Sequence, residues 1–484
     1  MKPAVTFTSS VSAASTPLNH AWEHTVGSGH ALLALRADWQ QQIKRCHDEL
    51  GFRYVRFHGI LDDDMGTLIE HEEKPLYSFF NADCICDFLL SIGMRPVVEL
   101  GFMPEMLASG REIVFHYRGN VTPPADYGAW GTLIRRLVTH WVERYGIAEV
   151  RQWFFEVWNE PNLPAFWTGT RDDYFELYGH TARAIKTVDA SLRVGGPATA
   201  MTAWVSELLD YCEKNRLPAD FISTHLYPTD PLGFEGADTE EQLANSPRDF
   251  MRDRAKLVRD QARGRPVYFT EWNISSNPRD HYHDEPFAAA YVARIALETD
   301  AFVEGYSYWT FSDIFEENYF PSVPFHGGFG LLNLHGVPKP AYRAFQLLHQ
   351  LGTERLPVAG THDTVDVWVV RKDRSLTVFL TNHAQPRHDI GTRHVEVYLT
   401  DASEPLAATL ERIDEDHANP RRRWREMGEP EYLSRSQVEQ LTAASLVVKE
   451  KLGFAYANRT IRFQLEIPAH AVAAVTLAFA AGVV

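Results

Sequence analysis

Eight times between about residues 18 and 350, a short apolar run is followed by a longer amphipathic segment. The apolar runs lie near 18–26, 53–59, 95–101, 152–159, 192–197, 221–227, 266–272 and 304–311. Helical patterns follow near 37–50, 81–93, 126–146, 171–189, 203–216, 247–263, 286–301 and 338–350. Eight β-then-α units in one stretch of this length predict an α/β fold, a closed (β/α)8 TIM barrel. Links from helix to strand are short, as in Leu50-Gly51-Phe52 and Ser91-Ile92-Gly93-Met94. Links from strand to helix are long and rich in Gly, Pro and aromatics, notably 60–80, 102–125, 228–246 and 312–337. In such a barrel the strand-to-helix loops build the functional face.

After about residue 356 the pattern changes to period-2 alternation, as in Val365 to Val370, Leu376 to Leu380, His394 to Leu399, Ile461 to Ile467 and Val472 to Phe479. That pattern predicts a β-sandwich. A chain of 484 residues is too long for one ordinary core, so two domains are expected. The barrel is assigned to 16–350 and the accessory sandwich to 1–15 with 351–484. Thr6 to Val11 supplies an extra strand, and a helical insertion is expected near 430–452. The run Arg421 to Arg425 has acidic neighbours and reads as a solvated loop.

The formal net charge of −17 argues against nucleic acid and anionic membranes as partners. Hydrophobic residues at 45% and charged residues at 23% are globular proportions. Cys84 and Cys86 point away from each other on a predicted helix, which disfavours both a local disulfide and a zinc knuckle. Together with Cys46 and Cys212 they read as reduced thiols. The first residues lack the apolar run of a signal peptide and later apolar stretches carry charges, so a cytoplasmic location is expected.

Two glutamates stand at predicted strand ends. Glu160 lies in Trp158-Asn159-Glu160-Pro161-Asn162 and Glu271 in Phe269-Thr270-Glu271-Trp272. Two carboxylates presented this way are what cleavage of a glycosidic bond requires. One protonates the leaving oxygen, while the other attacks the anomeric carbon or activates water there. Glu160 is read as the acid/base, needing a raised pKa, and Glu271 as the ionised nucleophile. Asn159 is placed to donate to a sugar hydroxyl. His225 and Tyr227 are placed to donate to Glu271. Arg56 and His58 share one side of the second strand, with His58 binding sugar hydroxyls. Trp309 is an aromatic floor for the sugar ring, and Glu316 or Glu317 would accept protons from its far hydroxyls.

These motifs, with Phe57-His58-Gly59, Pro164 to Trp167, Gly195-Gly196-Pro197, Phe315-Glu316-Glu317 and His417 to Pro420 with the later Trp424, Met427 and Gly428, resemble glycoside hydrolase family 39, the β-xylosidases related to α-L-iduronidases. The resemblance implies retaining double displacement with no metal and no organic cofactor. It also implies a sugar subsite shaped by His58, Asn159, His225, Tyr227, Trp309 and Glu317, with Phe166 at its edge. A uronic acid would need basic residues beside it. Segments 221–236 and 305–322 contain no Lys or Arg, which favours a neutral pentose; Arg279 is left unplaced. The expected substrate is a xylo-oligosaccharide or another small neutral glycoside, cut at terminal β-1,4-linked xylose. The alternatives are an α-L-arabinosidase, an endo-acting enzyme and a non-catalytic carbohydrate-binding protein. A homo-oligomer is compatible with the sandwich, which in this setting braces the barrel or mediates oligomer contacts.

Overall fold

A computed structural model describes residues 4–72, 74–229, 238–317 and 319–480. Eight parallel strands close a barrel in chain order: β1 (Thr25–His30), β2 (Tyr54–His58), β3 (Arg95–Leu100), β4 (Phe154–Val157), β5 (Arg193–Thr199), β6 (Phe221–Leu226), β7 (Val267–Trp272) and β8 (Gly305–Tyr308). Its helices are α1 (Ala37–Leu50), α2 (Phe80–Ser91), α3 (Tyr127–Tyr145), α4 (Arg171–Val188), α5 (Val205–Asn215), α6 (Phe250–Gln261), α7 (Pro286–Thr299) and α8 (Pro340–His349).

The first strand departs from the expected 18–26. Asp300 accepts hydrogen bonds from the amides of Asn19 and Ala21, at 2.7 and 2.9 Å, and Ala21–Glu23 forms a 3-10 turn. The strand proper, Thr-Val-Gly-Ser-Gly-His, is too rich in glycine to read as one. Its glycines are required by close approach. A Cβ on Gly27 would lie 2.4 Å from Trp309, and one on Gly29 would lie 2.8 Å from Phe315.

The barrel interior is layered because alternate side chains of each strand point inward. Tyr54, Val97, Phe154, Phe221 and Tyr268 form an apolar floor. Two residues further along their strands stand Arg56, Glu99, Glu156 and Thr270, and the chemistry begins above the floor.

Two further sheets make the sandwich. One orders Val5–Ser10, Arg393–Thr400, Thr460–Ile467 and Ala455–Ala457, and Val5–Ser10 runs parallel to Arg393–Thr400. The other holds seven strands, including Val365–Lys372, Ser375–Asn382, Ala471–Ala478 and Ala407–Ile413. Thr16–Pro17 pairs with Glu354–Leu356 in this second sheet, so the chain enters the barrel after Pro17. Phe7, Val397, Leu399, Val378, Leu380 and Val475 meet between the sheets.

Helix α7 is apolar on every face, as its sequence PFAAAYVARIALET reads, because the sandwich covers the side turned from the barrel. Its one buried cation, Arg294, reaches Asp249 at 2.8 Å and Glu298 at 2.9 Å, with Asp366 of the sandwich 3.4 Å away.

The expected loop at Arg421 to Arg425 is a helix, Pro420–Glu426. Pro420 opens it, and the Asn419 side chain accepts from the Arg422 amide. Acidic neighbours hold the arginines: Glu285 bonds Arg421 and Arg425, Asp416 bonds Arg422, and Glu426 bonds Arg423. A second helix, Arg435–Ala444, starts in a Ser434/Gln437 capping box within the expected insertion. Trp424 and Leu441 of these helices pack on Phe325 and Val337, in the long loop after β8.

Lys339 ties the same loop down from below. It is fully buried, with Nζ 2.7 Å from Asp284, 2.7 Å from Asp313 and 2.9 Å from the Gly328 carbonyl. Lys339→Met leaves two buried carboxyls without their cation and is expected to cost about 3–5 kcal/mol. The fall in the urea unfolding midpoint measures it.

Candidate active site

The C-terminal ends of β2, β4, β6, β7 and β8 surround a cavity of about 170 Å3. His58, Asn159, Glu160, Phe166, Tyr227, Glu271, Trp309 and Glu317 line it. Phe115, Ser276, Pro278 and Phe329 complete the lining from loops whose sequence carries no signal for the role.

Backbone irregularity aims the two glutamates. Trp158 and Glu160 have φ of 69° and 44°, so the chain turns sharply at the end of β4, and the Glu160 amide donates to the Ala198 carbonyl at 2.8 Å. In β7 the register against β6 shifts between Phe269 and Glu271, leaving Thr270 as the extra residue. Such a bulge lets adjacent side chains both reach the interior. Thr270 donates to Glu156 at 2.7 Å, and Glu271 accepts from Tyr227 at 2.9 Å.

Arg56 organises the floor of the cavity. It is fully buried and donates to Glu156 at 2.5 Å, to Glu271 at 2.7 Å and to the Asn159 side-chain carbonyl at 2.9 Å, while Glu99 lies 3.0 Å away. The bond to Asn159 occupies its oxygen and turns its NH2 group toward the cavity. The sequence placed Arg56 on the correct side of its strand but offered no sign that it holds the nucleophile candidate.

His225 does not donate to Glu271 as expected. Its Nδ1 is 2.9 Å from Glu160 and 3.7 Å from Glu271, and its Nε2 is 3.2 Å from Thr270 Oγ1. The direction of each bond follows from the proton count. Thr270 gives its one hydroxyl proton to Glu156, so it accepts from Nε2–H. Burial holds His225 neutral, well below the usual histidine pKa. Nδ1 is therefore an acceptor, and the proton between it and Glu160 belongs to Glu160.

The electrostatics order the two acids the same way. Burial, and then the charge of Glu271, raise Glu160 well above the usual carboxylate range. Burial also raises Glu271, but Arg56 and the Tyr227 hydroxyl work against the rise. Glu271 is the first of the pair to ionise. One carboxylate oxygen of each lies within 4.8 Å of the other. So close an approach suits the roughly 5–5.5 Å spacing of carboxyl groups in retaining glycosidases better than the wider spacing that leaves room for an attacking water.

Burial drives His58 down to about 3 and Glu99 up to about 8, so both are mostly neutral at neutral pH. Their 2.5 Å bond is then Glu99 donating to Nδ1, which leaves Nε2–H directed toward Glu317 and Glu271, at 3.6 and 3.7 Å. Glu317 is raised well above the ordinary range by burial and then by Glu271.

Glu316 turns away from the cavity and accepts from His30 at 2.9 Å. Arg279 is exposed and does not line the cavity, although the neighbouring Pro278 does. Asn318 and residues 230–236, which fall in the segments searched for basic residues, lie outside the described residues.

Two groups of ligand-type side chains converge among the described residues: Glu160 with His225 and Glu271, and His30 with Asp62 and Asp64. In the first, the proton on Glu160 occupies the His225 lone pair. In the second, burial works against a charge on His30, but Asp62, Asp64 and Glu316 raise it to about 11. A protonated imidazole has no lone pair for a metal. Among the described residues no helix is long and apolar enough to cross a membrane.

Residues 8–460 match the family Glycosyl hydrolases family 39. The chain is 50% identical to a Beta-xylosidase of Caldicellulosiruptor saccharolyticus, over 95% of this chain and 96% of that one. It is 41% identical to a Beta-xylosidase of Geobacillus stearothermophilus, over 87% and 86%. The crystal structure of a monomeric beta-xylosidase from Caulobacter crescentus CB15 superposes with a TM-score of 0.87 at 34% identity, covering 99% of this chain and all of the other. The family match and the barrel-plus-sandwich architecture agree, and the chain belongs to glycosyl hydrolase family 39.

Proposed function

We propose that this chain is a retaining exo-β-xylosidase that removes terminal β-1,4-linked xylose from short xylo-oligosaccharides. The observation that carries the reading is the close pair Glu160 and Glu271, one holding a proton and the other bonded to Arg56, in a cavity sized for a single sugar. Its relatives named Beta-xylosidase support the choice of sugar.

In this reading the xylose ring lies against Trp309, with Asn159 and His58 donating to its hydroxyls and Glu317 at their far side. Hydroxyl donors from the sugar favour the ionised form of Glu317. Glu271 attacks the anomeric carbon while Glu160 passes its proton to the leaving oxygen, giving a covalent glycosyl-enzyme. Glu160, now ionised, takes a proton from water, which attacks the same carbon and restores both groups. When Glu160 ionises, His225 can shift its proton to Nδ1 and donate to the new carboxylate, with Thr270 reversing its bond. Phe166 lines the cavity beside Phe115, and no Lys or Arg is among the described lining residues, which suits a neutral pentose.

Hydrolysis of aryl glycosides tests the proposal. The β-xyloside is expected to dominate over the α-L-arabinopyranoside, α-L-arabinofuranoside, β-glucoside and α-L-iduronide, and a different leading sugar would overturn the choice of substrate. Glu271→Ala is expected to lose nearly all turnover and to regain some with azide, with inverted product. Glu160→Ala is expected to lose about 10²–10⁴-fold on substrates whose leaving group needs a proton, and little on substrates with an acidic phenol.

The pH–rate profile should respond on both limbs. Tyr227→Phe removes a donor that stabilises ionised Glu271, so the acidic limb moves to higher pH. Thr270→Val frees His225 to donate to ionised Glu160, so the alkaline limb moves to lower pH. A bond to a charged group of about 1.5 kcal/mol sets each shift at roughly one unit. A general structural defect would lower the rate at every pH and leave both limbs in place.

A further inference from the structure

A second cavity, of about 470 Å3, lies beside the first on the same barrel face. Asp62, Asp64, Asn120, Arg111 and Arg118 line it, and so does Tyr117. The partition between the cavities is thin. Phe115 faces the catalytic cavity and Tyr117 faces the second, with their rings 5.3 Å apart.

Four loops meet to brace this partition. His30, at the end of β1, stacks on Tyr117 with ring centroids 3.9 Å apart and planes 4° from parallel. Its Nδ1 bonds Glu316 from the loop after β8, and its Nε2 stands 3.3 Å from both Asp62 and Asp64 in the loop after β2. Phe115 and Tyr117 come from the loop after β3. Glu316 and Glu317 therefore straddle the partition, one holding the brace and the other facing the sugar site.

The position of the partition defines what it blocks. A leaving group must depart past Glu160, which β4 carries. In the closed order β8 stands across the barrel mouth from β4, with β1 beside it, so the non-reducing end of the sugar faces the strand ends and loops that carry His30, Glu316 and Glu317. The partition is braced from that side by His30 and Glu316, while the loops after β2 and β3 line the second cavity behind it. The second cavity has the volume of an ordinary small-ligand site, and its lining of carboxylates, amide and guanidinium groups is suited to hydroxyls.

We propose that Phe115 and Tyr117, braced by His30 and Glu316, set the one-sugar specificity of the site, and that the cavity behind them is a walled-off subsite for a second sugar. The proposal rests on the glycosidase reading above and adds where exo-action is enforced. Tyr117 is the removable half of the wall, because its hydroxyl has no hydrogen-bond partner among the described residues.

An aryl β-xylobioside tests it. The wild-type chain removes the outer xylose first, so phenol appears only after a lag. In Phe115→Ala/Tyr117→Ala, the outer sugar enters the second cavity, phenol is released directly and xylobiose appears. The expected rise in the ratio of xylobiose to xylose among first products is about 10–200-fold, the range that one lost side-chain exclusion supports. The urea unfolding midpoint reports folding in every variant, and turnover of the simple aryl β-xyloside reports the state of the sugar site. If the double variant loses that turnover, Tyr117→Ala/Glu316→Ala, which keeps Phe115 in the sugar site, carries the same comparison. A folded variant that still releases xylose first, with no xylobiose, overturns the wall. A wild-type chain inert on the aryl β-xyloside would overturn the β-xylosidase reading instead.

Discussion

One guanidinium governs the chemistry at the top of this barrel. Among the described residues, Arg56 is the only Lys or Arg that meets Glu99, Glu156 and Glu271 there, and Glu160 and Glu317 stand close by. These carboxyls are buried or nearly so, and each one that ionises carries a desolvation cost that one cation cannot offset five times. The excess is relieved by protonation: Glu99, Glu160 and Glu317 rise, and Glu271, which Arg56 bonds directly, is best placed to carry charge. The division of labour between the two central glutamates is set by distance from Arg56 as much as by their own surroundings.

Hydrogen-bond direction makes the assignment stricter. Thr270 has one proton to give, and Glu156 takes it. That choice fixes which nitrogen of His225 is protonated, and so which side of the bond to Glu160 holds the proton. The chain from Glu156 to Glu160 acts as one unit, since Thr270 can turn its proton to His225 only by giving up its bond to Glu156.

The alternation of apolar runs and amphipathic helices made the barrel readable, because period and burial are local properties. Glu160 and Glu271 were readable for the same reason, each standing at the end of a run. What could not be read came from contacts distant in sequence. β1 was misplaced because Trp309 and Phe315, nearly 300 residues on, demand glycines where a strand is expected to show branched residues. Arg421 to Arg425 form a helix because Asn419 caps it and Glu285, just before α7, pairs with it. The partner of His225 depended on a bulge in β7 that no periodicity announces. Glu316 and its neighbour Glu317 part company because His30 attracts one of them.

The strand Val5–Ser10 and its parallel neighbour Arg393–Thr400 are nearly 400 residues apart in sequence. A ribosome adding ~5–20 residues per second makes the first strand wait roughly 20–80 s for its neighbour. An unpaired strand held that long is a template for association with other nascent chains. Its sequence, VTFTSS, tempers the risk, since four of its six side chains are hydroxylated and only Phe7 is large and apolar. Translation therefore favours a first strand that is polar enough to wait safely and buries only Phe7 and Ser9 once the sandwich closes.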